Sequence, residues 1–165
     1  MTDFEKMAEL LLPNIDKTPD YYENMYPERN LPEGAAVTRI APSPTGYLHL
    51  GTLFAALTNR ITADSTGGLM YIRIEDTDKK REVEGGTEDI VNGLHNFGID
   101  LDEGFTFEGQ KGSYGPYRQS DRAEIYQTYV KKLIKKGLAY PCFCTAEELE
   151  TVRAEQEKNK IRTGY

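Results

Sequence analysis

Two short blocks hold the residues best suited to chemistry. The first runs Arg39-Ile40-Ala41-Pro42-Ser43-Pro44-Thr45-Gly46-Tyr47-Leu48-His49-Leu50-Gly51-Thr52, and the second is Arg73-Ile74-Glu75-Asp76-Thr77-Asp78 followed by Lys79-Lys80-Arg81. If a helix starts near Gly51, His49 and Thr52 stand beside its unpaired amides, an arrangement that attracts phosphate and other anions. Gly51 leaves a ligand room to approach the helix backbone. Arg39 offers a bidentate fork for a carboxylate. In the second block three carboxylates repel one another unless cations or donors stand near, and burying them without partners is costly. Glu75, pointed into a cleft, would bind an ammonium group. Alone, each block also fits a plainer reading: a proline-rich turn with an incidental histidine, and a capped acidic turn.

The flanking residues say how these groups are positioned. Ala35–Ala41 alternates small or apolar residues with polar ones, as a short strand does. Pro42 and Pro44 remove donors and fix φ, so the strand ends there, and Gly46 permits a sharp reversal. From Gly51, Leu53, Phe54, Ala56, Leu57 and Ile61 read as a buried helix face. Ser65–Gly68 is a turn, and Leu69–Ile74 is a near-continuous apolar strand of the kind found in buried parallel sheets. Strand, helix and strand make a βαβ unit with a right-handed crossover. Ligands of such sheets bind beyond the carboxyl ends of the strands, where both blocks fall. The fold class is α/β.

Further along, Gly85-Gly86-Thr87-Glu88 opens a third helix with Ile90, Val91, Leu94 and Phe97 as its apolar stripe; Gly98 closes it and His95 reads as a surface or packing residue. Ile99–Gly115 is a loop or hairpin. Ser120 is placed to cap a long helix with Ile125, Tyr126, Tyr129, Leu133 and Ile134 on its apolar face. Thr145 and Glu148 form a capping box for a last helix. Upstream, Phe4, Met7, Ala8, Leu10, Leu11 and Leu12 make an amphipathic helix ended by Pro13, and Tyr21–Pro27 is expected to lay its rings on the body.

At 165 residues and 38% hydrophobic content the chain suffices for one core, and its net charge of -7 argues against a generic nucleic-acid binder. Local basic clusters, Lys79-Lys80-Arg81 and Lys131-Lys132 with Lys135-Lys136, leave contact with RNA open, although such runs are more often solvated faces. No apolar run approaches a membrane span and no secretory leader is evident, which makes the cytoplasm the expected compartment. Cys142 and Cys144 are too close for an unstrained disulfide and make only half of a tetrahedral zinc site, so a structural role is expected of them.

His49-Leu50-Gly51-Thr52 resembles the HIGH signature of class I aminoacyl-tRNA synthetases, and Arg39–Gly46 resembles its glutamyl-type version. The second block resembles the RIEDTD element of the same enzymes, where glutaminyl enzymes read closer to P-x-P-N-G and D-D-T-N. Tyr114–Arg122 resembles their GPYRQSER segment, with Asp121 in place of the usual glutamate. The resemblance covers about residues 35–150. It implies the first half of a Rossmann-type catalytic domain over 35–119, the start of a tRNA acceptor-binding insertion over 120–165, and an extension over 1–34.

The activity implied is ATP-dependent attachment of L-glutamate to tRNA through a glutamyl-adenylate. His49, Gly51 and Thr52 would be catalytic, with Pro44, Thr45 and Gly46 joining them around ATP. Arg39, Ala41 and Ser43 would line the glutamate pocket, Glu75 would meet the α-ammonium, and Asp78 and Arg81 would touch the tRNA 3′ end. ATP with Mg2+ and tRNA(Glu), with tRNA(Gln) as the alternative tRNA, are the implied ligands, with no zinc and a monomeric state. The family's KMSKS-type loop is not in these residues, which implies a fragment that folds without aminoacylating. Rival readings are a paralogue that glutamylates a tRNA nucleoside, a nucleotidyltransferase, and a non-catalytic binding module.

Overall fold

The computed structural model describes residues 1–46 and 48–164, so Tyr47 of the first block and Tyr165 lie outside the described residues. Strands β1 (Val37–Ile40) and β2 (Leu69–Ile72) pair in parallel, Val37 opposite Leu69 and Ile40 opposite Ile72. The crossover between them is helix α3 (Leu50–Thr66), the strand–helix–strand unit expected from the sequence. Gly67 stops α3 in the left-handed region at φ 65°. At Gly68 a Cβ would sit 1.9 Å from the Ala36 carbonyl oxygen, so only glycine lets the chain re-enter beside β1.

The β1–β2 hydrogen bonding runs past the strand ends. The Arg73 amide donates to the Ile40 carbonyl at 3.0 Å, and the Glu75 amide to the Pro42 carbonyl at 2.9 Å. On the other edge of β2 the Ile72 amide bonds to the Glu103 carbonyl at 3.1 Å and the Ile74 amide to that of Tyr117 at 2.9 Å. Residues 99–115 form the hairpin alternative: β3 (Gly104–Thr106) pairs antiparallel with β4 (Gly109–Lys111). Helix α4 (Gly86–Asn96) turns Ile90, Val91 and Leu94 onto a core shared with Ile40, Ala56, Ala63, Met70, Ile72 and Ile74.

Several helix faces differ from the expected ones. In α3, Ala56 and Ala63 meet the sheet, while Phe54 (71% exposed), Leu57 and Ile61 point away. The backbones approach too closely for larger groups: Thr38 Oγ1 donates to the Asn59 carbonyl at 3.0 Å, and Asn59 Nδ2 to that of Arg39 at 3.3 Å. Phe97 falls beyond the end of α4 and is exposed, because the chain turns at Gly98. In α5 (Ala123–Lys135) the buried positions are Thr128, Lys131 and Ile134, and Tyr126, Tyr129 and Leu133 are exposed.

The rotation of α5 has a cause upstream. Helix α1 (Asp3–Leu11) packs against α5, and the Lys131 ammonium, on a residue only 8% exposed, donates to Glu9 Oε2 at 2.7 Å and to the Ile15 carbonyl at 2.9 Å. Part of the second basic cluster is thus internal rather than a solvated face. Of the expected α1 stripe Ala8 is buried, whereas Phe4, Leu10 and Leu11 are exposed. In α2 (Pro19–Met25) Tyr22 is buried as expected, while Tyr21 is exposed. Helix α6 (Ala146–Lys158) carries the expected capping box and buries nothing; Cys142 and Cys144, just before it, are exposed and do not pack into the core.

Replacing Gly68 by alanine is expected to cost at least the roughly 1–3 kcal/mol of an overpacked site, because the obstacle is backbone that also holds the β1–β2 ladder. Urea unfolding monitored by circular dichroism measures this, and an unchanged midpoint would contradict the tight approach.

Candidate active site

The first block leaves β1 and returns as α3, whose N-cap is His49. The imidazole folds back over the helix start. Its Nδ1 accepts from the Thr52 amide at 3.3 Å, and its Nε2 lies 3.1 Å from Thr52 Oγ1. With Nδ1 accepting, the proton of a neutral ring sits on Nε2 and points at the threonine oxygen. Gly51 makes this possible, since a Cβ there would stand 3.2 Å from the ring. The ring therefore occupies part of the amide site that the sequence assigns to phosphate.

Two hollows flank the block. One, of about 470 Å³, is lined by Ala41, Pro42, Ser43, Thr45, Gly46 and His49 among others. The second, of about 340 Å³, runs from Arg39 along Ala41 to His49, Gly51 and Thr52. Pro44 lines neither: its ring is fully buried, and its carbonyl accepts from the Val83 amide at 2.8 Å. Pro44 is an anchor beneath α4 rather than a wall of the cleft, because Gly86 packs directly on it. Gly46 has no positive φ and faces open space, so the reversal there does not depend on a left-handed glycine.

Arg39 and Glu75 meet. Arg39 Nη1 lies 3.1 Å from Glu75 Oε1, and each side chain is about one-third exposed, 34% and 32%. The two residues read from the sequence as receptors for opposite charges thus neutralise each other across the β1–β2 ladder.

The other carboxylates of the second block have partners of their own. Asp76, 2% exposed, accepts from the Ser120 amide at 3.0 Å, Ser120 Oγ at 2.6 Å and Lys79 Nζ at 2.8 Å. Burial opposes its ionisation, but Lys79 and the Ser120 donors outweigh that and hold the carboxyl well below the usual carboxylate range. Asp78 pairs with Arg81 at 2.6 Å on the surface, which lowers its pKa as well. Ser120 is consequently not the cap of α5: it begins a single 3-10 turn, Ser120–Arg122, and its hydroxyl is committed to Asp76. The Asp76–Ser120 lock is the feature that sequence reasoning missed. Alternation along Met70, Ile72, Ile74 and Asp76 was the available signal, since it carries Asp76 to the buried side and demands a partner there. Among the described residues no three His, Cys, Asp or Glu side chains gather as a metal site.

Residues 35–164 match the family described as tRNA synthetases class I (E and Q), catalytic domain. The chain belongs to this synthetase family. It is similar to the glutamate–tRNA ligase of Clostridium perfringens strain 13, at 56% identity over 98% of this chain and 30% of the relative. The glutamate–tRNA ligase of Clostridium beijerinckii is 57% identical, again over 98% of this chain and 30% of its own. Among solved structures, glutamate–tRNA synthetase from Elizabethkingia anophelis superposes with a TM-score of 0.68 at 42% identity, covering 77% of this chain and 25% of that one. The glutamate–tRNA ligase from Elizabethkingia meningosepticum, in complex with its amino acid, gives 0.65 at 43% identity over 76% and 24%. The synthetase chain described here therefore spans about 30% of the length of the curated relatives it matches. The α/β expectation holds, with parallel strands, and so does the family resemblance.

In this class I synthetase chain the Asp76 lock predicts an acid response. A carboxylate with a lowered folded pKa stabilises the fold above its unfolded pKa, about 3.9, and that contribution is lost as pH falls toward the folded value. Between about pH 5 and about pH 2 the urea midpoint of the native chain is expected to fall more steeply than that of Asp76→Asn. Equal slopes would remove Asp76 as the acid-sensitive lock.

Proposed function

We propose that this chain forms the glutamate- and ATP-binding part of a glutamate–tRNA ligase, an enzyme that activates L-glutamate with ATP and transfers it to tRNA. The observation that carries this reading is the Arg39–Glu75 pair at the carboxyl ends of two parallel strands, beside the start of α3. A free amino acid brings to that pair the charges each member lacks: its side-chain carboxylate for the Arg39 fork and its α-ammonium for Glu75. Ala41 lines the hollow that reaches Arg39, Ser43 lines the adjoining one, and neither carries a bulk that would exclude a glutamate side chain.

In the activation step a carboxylate oxygen of glutamate attacks the α-phosphorus of ATP in line. A new O–P bond forms as the bond to the bridging oxygen breaks, and pyrophosphate departs with the electron pair. A terminal ribose hydroxyl of tRNA then attacks the activated carbonyl and releases AMP. This chain's residues position the reactants and stabilise charge on the phosphate. For His49 and Thr52 to do so, the ring lets go of the Thr52 amide, and phosphate oxygens take its place at the helix start. Thr45 and Gly46 border the same space. Mg2+ fits as a companion of the ATP phosphates, since each carboxylate of the second block already faces its own cation.

In this reading residues 35–119 are the first half of a Rossmann-type catalytic domain, 120–165 open the acceptor-binding insertion, and 1–34 are an extension. Exposed Arg81, with Asp78, is the contact offered to the tRNA 3′ end, whether of tRNA(Glu) or tRNA(Gln). The expected setting is a cytoplasmic monomer; no described helix is long and apolar enough to cross a membrane.

Calorimetric titration of the chain with a non-hydrolysable glutamyl-adenylate analogue tests the reading. Arg39→Ala is expected to weaken binding at least about tenfold, the loss of one charge-assisted contact. Equal affinities in the two proteins would take the side-chain contact away from Arg39, and absence of binding to the native chain would overturn the proposal for this chain.

A further inference from the structure

On the face of β2 turned away from the core lies a third, smaller cavity of about 190 Å³. Strand alternation sends Met70, Ile72 and Ile74 into the core and leaves Tyr71 and Arg73 on this opposite face. Arg29 reaches the cavity from the N-terminal extension and Arg122 from the turn before α5, with Tyr26, Tyr114 and Tyr117 between them. It shares no lining residue with the hollows around His49.

The polar groups here are incompletely satisfied in a patterned way. Five buried side-chain atoms lack a hydrogen-bond partner among the described residues, and three of them are the Nε atoms of Arg29, Arg73 and Arg122. Arg29 stacks 3.6 Å above the Tyr114 ring and bonds through Nη2 to Glu103 Oε2 at 2.6 Å. Arg122 donates through Nη1 to the Pro116 carbonyl at 2.9 Å. The Arg73 guanidinium has neither ion pair nor hydrogen bond among the described residues. Glu103, among the described residues the single carboxylate paired into this group, already serves Arg29 and the Tyr117 hydroxyl, the latter at 3.1 Å.

Three guanidinium groups against one carboxylate leave a formal charge of +2 around a half-enclosed space. Water can satisfy donors there but does not offset the charge, and gathered like charges are unfavourable without a counter-ion. A phosphoryl group carries about -1.5 to -2 near neutral pH and presents three or more acceptor oxygens, which matches several guanidinium forks better than one carboxylate does. The volume is below the roughly 300–1,000 Å³ that holds a whole small-molecule ligand, so the cavity suits one phosphate-sized group.

We propose that Arg29, Arg73 and Arg122 form a phosphate-binding site on the back of β2, separate from the proposed nucleotide cleft. The inference does not rest on the glutamate–tRNA ligase reading. It also gives the N-terminal extension a task, since Arg29 and Tyr26 come from it.

Titration of the 165-residue chain with inorganic phosphate, followed by calorimetry and by the thermal midpoint, tests the site. The native chain is expected to bind saturably and to gain thermal stability with added phosphate. Arg73→Met, which keeps the aliphatic stem, is expected to weaken binding at least about tenfold. Should that variant not fold, Arg122→Met makes the same measurement. His49→Ala is expected to retain the binding. Methyl phosphate binding as tightly as inorganic phosphate identifies the ligand as the phosphoryl end of an ester; binding of inorganic phosphate alone identifies the free ion. No saturable binding, equal affinity in the folded arginine variant, or loss of binding in His49→Ala instead would each overturn the proposal.

Discussion

The arrangement of the site depends on a parallel ladder that continues after its strands have formally ended. The bonds from the Arg73 amide to Ile40 and from the Glu75 amide to Pro42 fix the register of the two chemical blocks against each other. A one-residue slip would reverse the faces of the alternating side chains and separate Arg39 from Glu75. Because Pro42 has no N–H to give, its carbonyl alone holds this last rung, and beyond it the chain is free to turn toward α3. The small seam of Ala56 and Ala63 then decides how closely α3 approaches, and with it where the His49 cap stands relative to Arg39.

Around that ladder the charges are neutralised locally. Glu75, Asp76 and Asp78, crowded within one turn of chain, each face a different cation: Arg39, Lys79 and Arg81. The three pairs differ in setting. The Asp76 carboxylate is sealed and also bonded to Ser120, which joins the second block to the start of α5. Arg81 and Asp78 lie at the surface, where screening leaves such a pair little energetic weight. The Arg39–Glu75 pair, a third exposed, is intermediate: ordered enough to hold its geometry and open enough to be entered. That gradation separates a sealed pair from solvent-accessible ones within four consecutive residues.

Much of this was legible in residue order. The strand–helix–strand unit, the prolines that end β1, the glycines at 67 and 98, and the capping box at Thr145 all act through local backbone chemistry, which sequence records directly. The family resemblance lay in contiguous blocks. What residue order did not record was which side of a helix would be covered. Phe54, Leu57 and Ile61 have the periodicity of a core stripe, yet close approach of α3 to β1 selects the alanines. On α5 the buried lysine owes its place to Glu9 and Ile15, more than a hundred residues upstream. The Ser120 hydroxyl likewise fits a helix cap locally and serves Asp76 instead. Each miss is a long-range contact overriding a sound local preference.

The imidazole at the start of α3 sets the terms on which that helix end exchanges partners. Capping by a side chain is typically worth about 1 kcal/mol to a helix. The Thr52 amide is shared between the imidazole Nδ1 at 3.3 Å and the His49 carbonyl at 3.0 Å, so a group that displaces the ring without replacing it removes only the side-chain part of the cap. A group bearing acceptor oxygens can take over the amide as the ring leaves, so the helix keeps a cap throughout. On the proposed reading, exchange at the first turn of α3 swaps one acceptor for another, which favours oxyanions over apolar or cationic groups that bring no acceptor.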